Sequence, residues 1–168
     1  MFYTLVHYPA IDTRRINRLR SKYDPQADLI APHITIVFPA PEPVGEQSLA
    51  AHISTVLRRW EPFPIRLNGL GRSWDDCLFL TLEEGGDNII RLHDELYTGA
   101  LAHYHSSKVQ FIPHLTLGVF TSDPGRYEQA SKEAESSGLD YSCVLDKVNL
   151  VKVDGERTQV VWSREFLL

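Results

Sequence analysis

Apolar positions along the chain fall into two rhythms, and the switches between them predict the elements. Period-two alternation marks strands over residues 2–8, 30–38, 63–70, 77–82, 109–120, 143–153 and 158–166. Period 3.6 marks helices over 13–22, with Ile16 and Leu19 inward, and over 46–60, with Leu49, Ile53, Val56, Leu57 and Trp60 on one face. A third helix is expected over 87–102 with Ile89, Leu92, Leu96 and Ala100 inward, and a polar surface helix over 125–137. The punctuation agrees with this reading. Asp12 or Thr13 can cap the first helix, Gly85-Gly86 leads into the third, and Asp154-Gly155 turns the last two strands. Pro39, Pro41 and Pro43 are expected to form a stiff exit that cannot join the middle of a sheet.

Helix, loop and strand recur once per half of the chain, without a long linker or low-complexity tract between them. Strands alternating with helices and hairpins predict an α+β fold with mainly antiparallel sheets. The repeat predicts one domain over residues 1–168, made of two pseudo-symmetric lobes.

Two of the predicted strands share a local pattern. Residues 32–38 read PHITIVF and residues 113–120 read PHLTLGVF. In a strand, residues two apart point to one face about 6.5 Å from each other. His33 and Thr35 therefore share a face opposite Ile34 and Ile36, and His114 and Thr116 share a face opposite Leu115 and Leu117. The prolines keep Ala31 and Ile112 extended. His-x-Ser/Thr also occurs at His52 and His105, but the first lies in a predicted helix and the second in a polar loop. Only His33 and His114 combine proline, strand and flanking apolar residues. A pair of imidazoles suits phosphoryl chemistry without a metal. Near neutral pH one can accept a proton from a nucleophile while the other gives one to a leaving oxygen. Threonine hydroxyls can donate to the non-bridging oxygens.

Composition narrows the setting. The net charge of −5 speaks against a protein that coats nucleic acid in bulk, and no apolar run approaches the ~20 residues needed to cross a bilayer. The first ten residues lack a basic leader and a small-residue cleavage site, so no signal peptide is expected. Cys77 and Cys143 are isolated, which argues against a disulfide framework and fits a reducing cytoplasm. A cytoplasmic monomer without membrane partners is the expectation.

With these motifs the chain resembles the two-histidine (2H) phosphoesterase superfamily, in particular the bacterial 2′-5′ RNA ligase-like family with its two His-x-Thr/Ser signatures. The likeness covers most of the chain, including RSKYDP at residues 20–25. It implies a bilobed fold, two antiparallel sheets flanked by helices, with both signatures lining a central groove. It also implies metal-independent chemistry, without a cofactor, on nucleotide or RNA-end phosphodiesters, often 2′,3′-cyclic phosphates. By motif, His33 and His114 become the acid–base pair and Thr35 and Thr116 the phosphate binders. Which histidine is the base depends on the direction of the substrate. The chain departs from the family in one place. Members that ligate RNA or open cyclic phosphates commonly carry an arginine shortly after the second motif, where this chain has Gly118, Val119 and Phe120. That shifts the expectation toward a small cyclic nucleotide or another small phosphodiester.

Arg20 and Lys22, ahead of the first motif, are candidate substrate contacts, whereas Arg14, Arg15 and Arg18 read as a solvated helix face. Phe38 and Phe120 end the motif strands and can stack on a base or pack in the core. Tyr3 and Tyr8 can border the groove, and Arg72 and Trp74 lie in a loop able to reach a base or ribose. His93, His103 and His105 invite a metal reading, but the spacing offers no carboxylate or cysteine to complete a set, and no metal is expected. A non-catalytic nucleotide or RNA-end binding module on the same fold is the alternative to an enzyme.

Overall fold

A computed structural model describes all residues except 42, 43, 107, 109, 122 and 168. In chain order the elements are β1 (Phe2–His7), α1 (Arg14–Tyr23), β2 (Ile34–Pro41), α2 (Glu46–Leu57), β3 (Phe63–Arg72) and β4 (Cys77–Glu84). They continue with α3 (Gly86–Leu96), a 3₁₀ turn (Gly99–Tyr104), β5 (His114–Val119), α4 (Pro124–Ser136), β6 (Asp140–Leu145), β7 (Lys147–Asp154) and β8 (Arg157–Glu165).

The described strands form one antiparallel sheet in the order β6-β3-β4-β5-β2-β1-β7-β8. Each expected sheet is one half of it, β6-β3-β4-β5 and β2-β1-β7-β8. The halves meet at a single bridged pair, Ile34 opposite Leu115, which joins the two motif strands. The order has a geometric consequence. β6 and β7 stand six strand spacings apart, about 29 Å across a flat sheet at ~4.8 Å per spacing. Asp146 alone links them in the chain, a reach of about 7 Å at most. The sheet therefore curls back on itself. Asp146 and Phe166 fasten that closure, with Phe166 N donating to Asp146 O and the Phe166 ring packing 6.2 Å from Phe63.

The helices cover the sheet crosswise. α1, which follows β1, packs on β5 of the other half, and α3, which follows β4, packs on β2. Ile16 and Leu19 of α1 and Ile89, Leu92 and Leu96 of α3 are fully or almost fully buried there, together with Ile34, Ile36, Leu115 and Leu117. Gly118 shows how tight the contact is. A Cβ at that position would stand 2.7 Å from Tyr23 Cβ and 2.8 Å from the Phe120 ring, so the α1–β5 contact requires glycine.

Several expected boundaries move. The first motif strand begins at Ile34 rather than residue 30, because residues 24–31 form a loop whose Ile30 carbonyl is taken by Arg20. Pro39 and Pro41 lie inside β2, contrary to the expected exit, while Pro43 falls outside the described residues. Among the described residues, β2 has only β1 paired with it beyond the Ile34–Leu115 bridge, and a strand with one free edge tolerates residues without an N–H. The third helix stops at Leu96 and gives way to the 3₁₀ turn at Gly99, whose φ is +51°. The strand expected over 143–153 is two strands, divided at Asp146, that serve opposite halves of the sheet.

Candidate active site

The bridge between β2 and β5 brings the two motifs together. Ile34 and Leu115 are opposed and both are fully buried toward the helices. His33, Thr35, His114 and Thr116 alternate with these buried positions and so take the other face, where all four are partly exposed.

Both imidazoles are held alike. His33 Nδ1 lies 2.9 Å from the Ala31 carbonyl, and His114 Nδ1 lies 2.7 Å from the Ile112 carbonyl. A carbonyl only accepts, so each Nδ1 carries the proton and each neutral ring keeps a free lone pair at Nε2. The acceptor is in each case the residue before the motif proline. Proline's fixed φ restrains the swing of that carbonyl beneath the ring, which explains why both motifs begin Pro-His. Burial pushes both imidazoles below their ordinary value near 6.5, and the two carbonyl contacts oppose this. His33 is lowered further by the charges of Arg20 and His114, against Asp24, whereas Asp75 acts to raise His114.

An aromatic residue from the neighbouring strand supports each histidine. Tyr8, just after β1, meets His33 edge-on at 6.3 Å, and Phe79 of β4 lies under His114 at 4.4 Å. Gly71 makes room for Phe79, since a Cβ there would approach the ring to 2.4 Å. Tyr3, the other tyrosine considered for the groove rim, is buried in the core. A cleft of about 820 Å³ opens beside His114, walled by Phe38, Trp74, Phe79, Lys108 and Ile112, with Arg72 and Asp75 at its edge. His33 is not on its wall. Phe38 and Trp74 are 44 % and 84 % exposed, so both present apolar rings to solvent at the cleft.

The remaining candidates separate. Arg20 is not a surface cation. It is buried, with Nε donating to Asp24 at 2.8 Å and Nη2 to the Ile30 carbonyl at 2.8 Å, and thereby pins the loop that delivers His33. Its Nη1 is buried with no hydrogen-bond partner among the described residues. Lys22 pairs with Glu133 of α4 and so ties α1 to α4 rather than facing the motifs. Phe120 is 3 % exposed between Tyr23 and Tyr127, which gives it the core role and leaves no face for a base. Arg72 is bound to Asp76 and lies over the Tyr127 ring at 4.3 Å. Of the metal candidates, His93 and His105 come together, but with Asp94 rather than His103. The completing carboxylate was adjacent in sequence to His93, and only the fold shows that it faces His105. No helix among the described residues is long and apolar enough to cross a membrane.

Comparison with known proteins gives the family and the fold. A protein of Geobacillus kaustophilus named “Putative phosphoesterase” is 30% identical over 145 residues, which is 84% of this chain and 73% of that protein. Among solved structures, TT0787 of Thermus thermophilus superposes with a TM-score of 0.67 at 14% identity, covering 99% of this chain and 98% of the other. E. coli LigT complexed with 3′-AMP superposes with a TM-score of 0.62 at 16% identity, again over 99% and 98%. The sequence profile of the 2′-5′ RNA ligase superfamily matches residues 8–157, including both motifs, and the chain belongs to that superfamily of two-histidine phosphoesterases.

Proposed function

We propose that the protein is a metal-independent phosphoesterase that opens 2′,3′-cyclic phosphates of nucleotides or RNA ends, with His33 and His114 as the acid–base pair. One observation carries this reading. Both motif histidines spend Nδ1 on a backbone carbonyl, which leaves Nε2 as a lone pair, and each lies two positions before a threonine on a partly exposed strand face. In the reaction a water oxygen attacks phosphorus while its proton passes to the neutral Nε2. The bond from phosphorus to one ribose oxygen breaks, and that oxygen takes a proton from the other, protonated Nε2. One water is consumed, and the two histidines exchange protonation states. Thr35 and Thr116 donate to the non-bridging oxygens as charge builds there.

The cleft at His114 supports a nucleotide rather than a bare phosphodiester, because exposed Trp74 and Phe38 offer faces on which a base can stack. Lys108 brings positive charge to the cleft, whereas Arg72 at its edge is already paired with Asp76. The LigT complex with 3′-AMP fits the same reading, since a nucleoside 3′-phosphate is one of the two products of opening a 2′,3′-cyclic phosphate. Two unpaired cysteines agree with work in the cytoplasm.

The test is hydrolysis of 2′,3′-cyclic nucleotides in the presence of EDTA. Wild type should turn over, and His33→Ala and His114→Ala should each lose about 10²–10⁴-fold in kcat. Thr35→Val and Thr116→Val should each lose about 10²–10³-fold. Tight nucleotide binding without turnover would instead establish a binding module, and unchanged turnover in both histidine variants would remove the acid–base assignment.

A further inference from the structure

We propose that His93, Asp94 and His105 form a binding site for one divalent transition-metal ion, with zinc the best match, which fastens the segment ahead of His114 to α3. The site is separate from the motif histidines and takes no part in bond breaking. It acts on the wall of the cleft.

His93 is the fixed ligand. It is 4 % exposed, its Nδ1 lies 2.7 Å from the Ile36 carbonyl of β2, and its ring stacks on Phe111 at 3.8 Å with 7° between the planes. The carbonyl contact assigns the proton to Nδ1 and leaves Nε2 as a lone pair. This is how ligand histidines are oriented when a carbonyl holds their other nitrogen. No hydrogen bond to that Nε2 is present among the described residues. Asp94 and His105 are exposed, and one ligand atom from each lies within 4.8 Å of the other and of His93. Tetrahedral ligands at about 2.0–2.2 Å from zinc stand roughly 3.4 Å apart, so closure takes a little over an ångström of side-chain rotation. Both residues that must rotate are exposed, and the residue that cannot is the buried one.

The donor set selects the class of ion. Two imidazoles and one carboxylate, with a fourth position left for water, suit zinc and its neighbours. Calcium and magnesium require more oxygen ligands than one aspartate provides. The position of the site gives it a consequence. His105 follows the 3₁₀ turn and begins the segment that carries Lys108, Phe111 and Ile112. Phe111 sits between His93 and Phe38, at 3.8 Å and 5.8 Å, and the Ile112 carbonyl holds His114. A metal at His93 and His105 would therefore brace the cleft wall from behind.

The experiment is a calorimetric titration of the metal-stripped full chain with Zn²⁺. Wild type and His114→Ala should each bind one equivalent saturably. His105→Ala, which alters an exposed residue, should lose that binding, and Asp94→Asn should weaken it by at least about tenfold. Zn²⁺ should also raise the melting temperature of wild type but not of His105→Ala. Absence of saturable binding in wild type would overturn the proposal, as would unchanged binding in His105→Ala. Loss of binding in His114→Ala would assign the ion to the motif histidines and overturn it equally.

Discussion

The two halves of the sheet carry the same Pro-His-x-Thr signature and surround it differently. Ahead of His33, residues 24–31 are locked by a buried polar network, Arg20 to Asp24 and to the Ile30 carbonyl, with Gln26 N donating to Asp24. Ahead of His114, the chain instead forms one wall of an open cleft, with Ile112 47 % exposed and Trp74 standing free across from it. The motif itself dictates only the imidazole: its tautomer, its orientation and the threonine beside it. What precedes the motif decides whether that half serves as an anchor or as an entrance. On the proposed reading, the first half holds its histidine rigid and the second receives the nucleotide.

Substitutions can break this contrast, and the anchor should respond most. Arg20→Met leaves Asp24 buried without its partner, so urea unfolding should show a loss of about 3–5 kcal/mol. Lys108→Met on the opposite side should leave the midpoint almost unmoved, because the residue is exposed. The entrance should respond next and in a different parameter. Trp74→Ala should raise KM for a cyclic nucleotide about tenfold with kcat little changed, as loss of a stacking face acts on ground state and transition state alike. Steady-state kinetics on the two parameters decides it, and a fall in kcat alone would contradict the assignment of Trp74 to base binding.

The finest contrast lies in the order of protonation. Burial lowers both motif imidazoles, but His33 also feels Arg20 and His114, whereas Asp75 favours charge on His114. As pH falls below about 6.5, His114 should take up its proton first, observable in the imidazole NMR signals. The same shifts fix a sign for stability. The unfolded chain binds protons at these sites before the folded one does. Stability is therefore fully present above the unfolded value of about 6.5 and is lost as pH drops through the lowered folded values. The kcat/KM profile should be bell-shaped with its maximum on the acid side of about 6.5, since it reports the free enzyme. A maximum above about pH 7 would show that the groups titrating are not these two.

The alternation of PHITIVF and PHLTLGVF was enough to place Ile34, Ile36, Leu115 and Leu117 in the core and the polar pairs opposite them. Local pattern could not reveal relations that depend on distant elements. Phe38 and Phe120 end equivalent strands and look alike in sequence, yet Tyr23 and Tyr127 cover Phe120 while Phe38 is 44 % exposed. Arg20 and Asp24 stand at helical spacing, a common surface pair, and only the fold buries them. Asp146-Lys147 breaks the apolar alternation, with Cys143 and Leu145 out of phase with Val148 and Leu150, but a break of two residues reads equally as a bulge and does not show that the chain leaves one half of the sheet for the other. Gly118 is informative in the opposite direction. Where the family commonly has an arginine nearby, the close approach of α1 requires this residue to have no side chain.

The one-residue connection at Asp146 has a mechanical meaning. A curled sheet that meets itself through a single bridge at Ile34–Leu115, and is drawn together through a single residue at the far side, behaves as a bow held by a short string. The motif histidines ride on opposite limbs of that bow. The spacing of the two motifs is then tied to the whole curve, and so to a residue outside both of them. Lengthening the string by one residue would let the limbs relax and part the two imidazoles without altering a single residue of either motif.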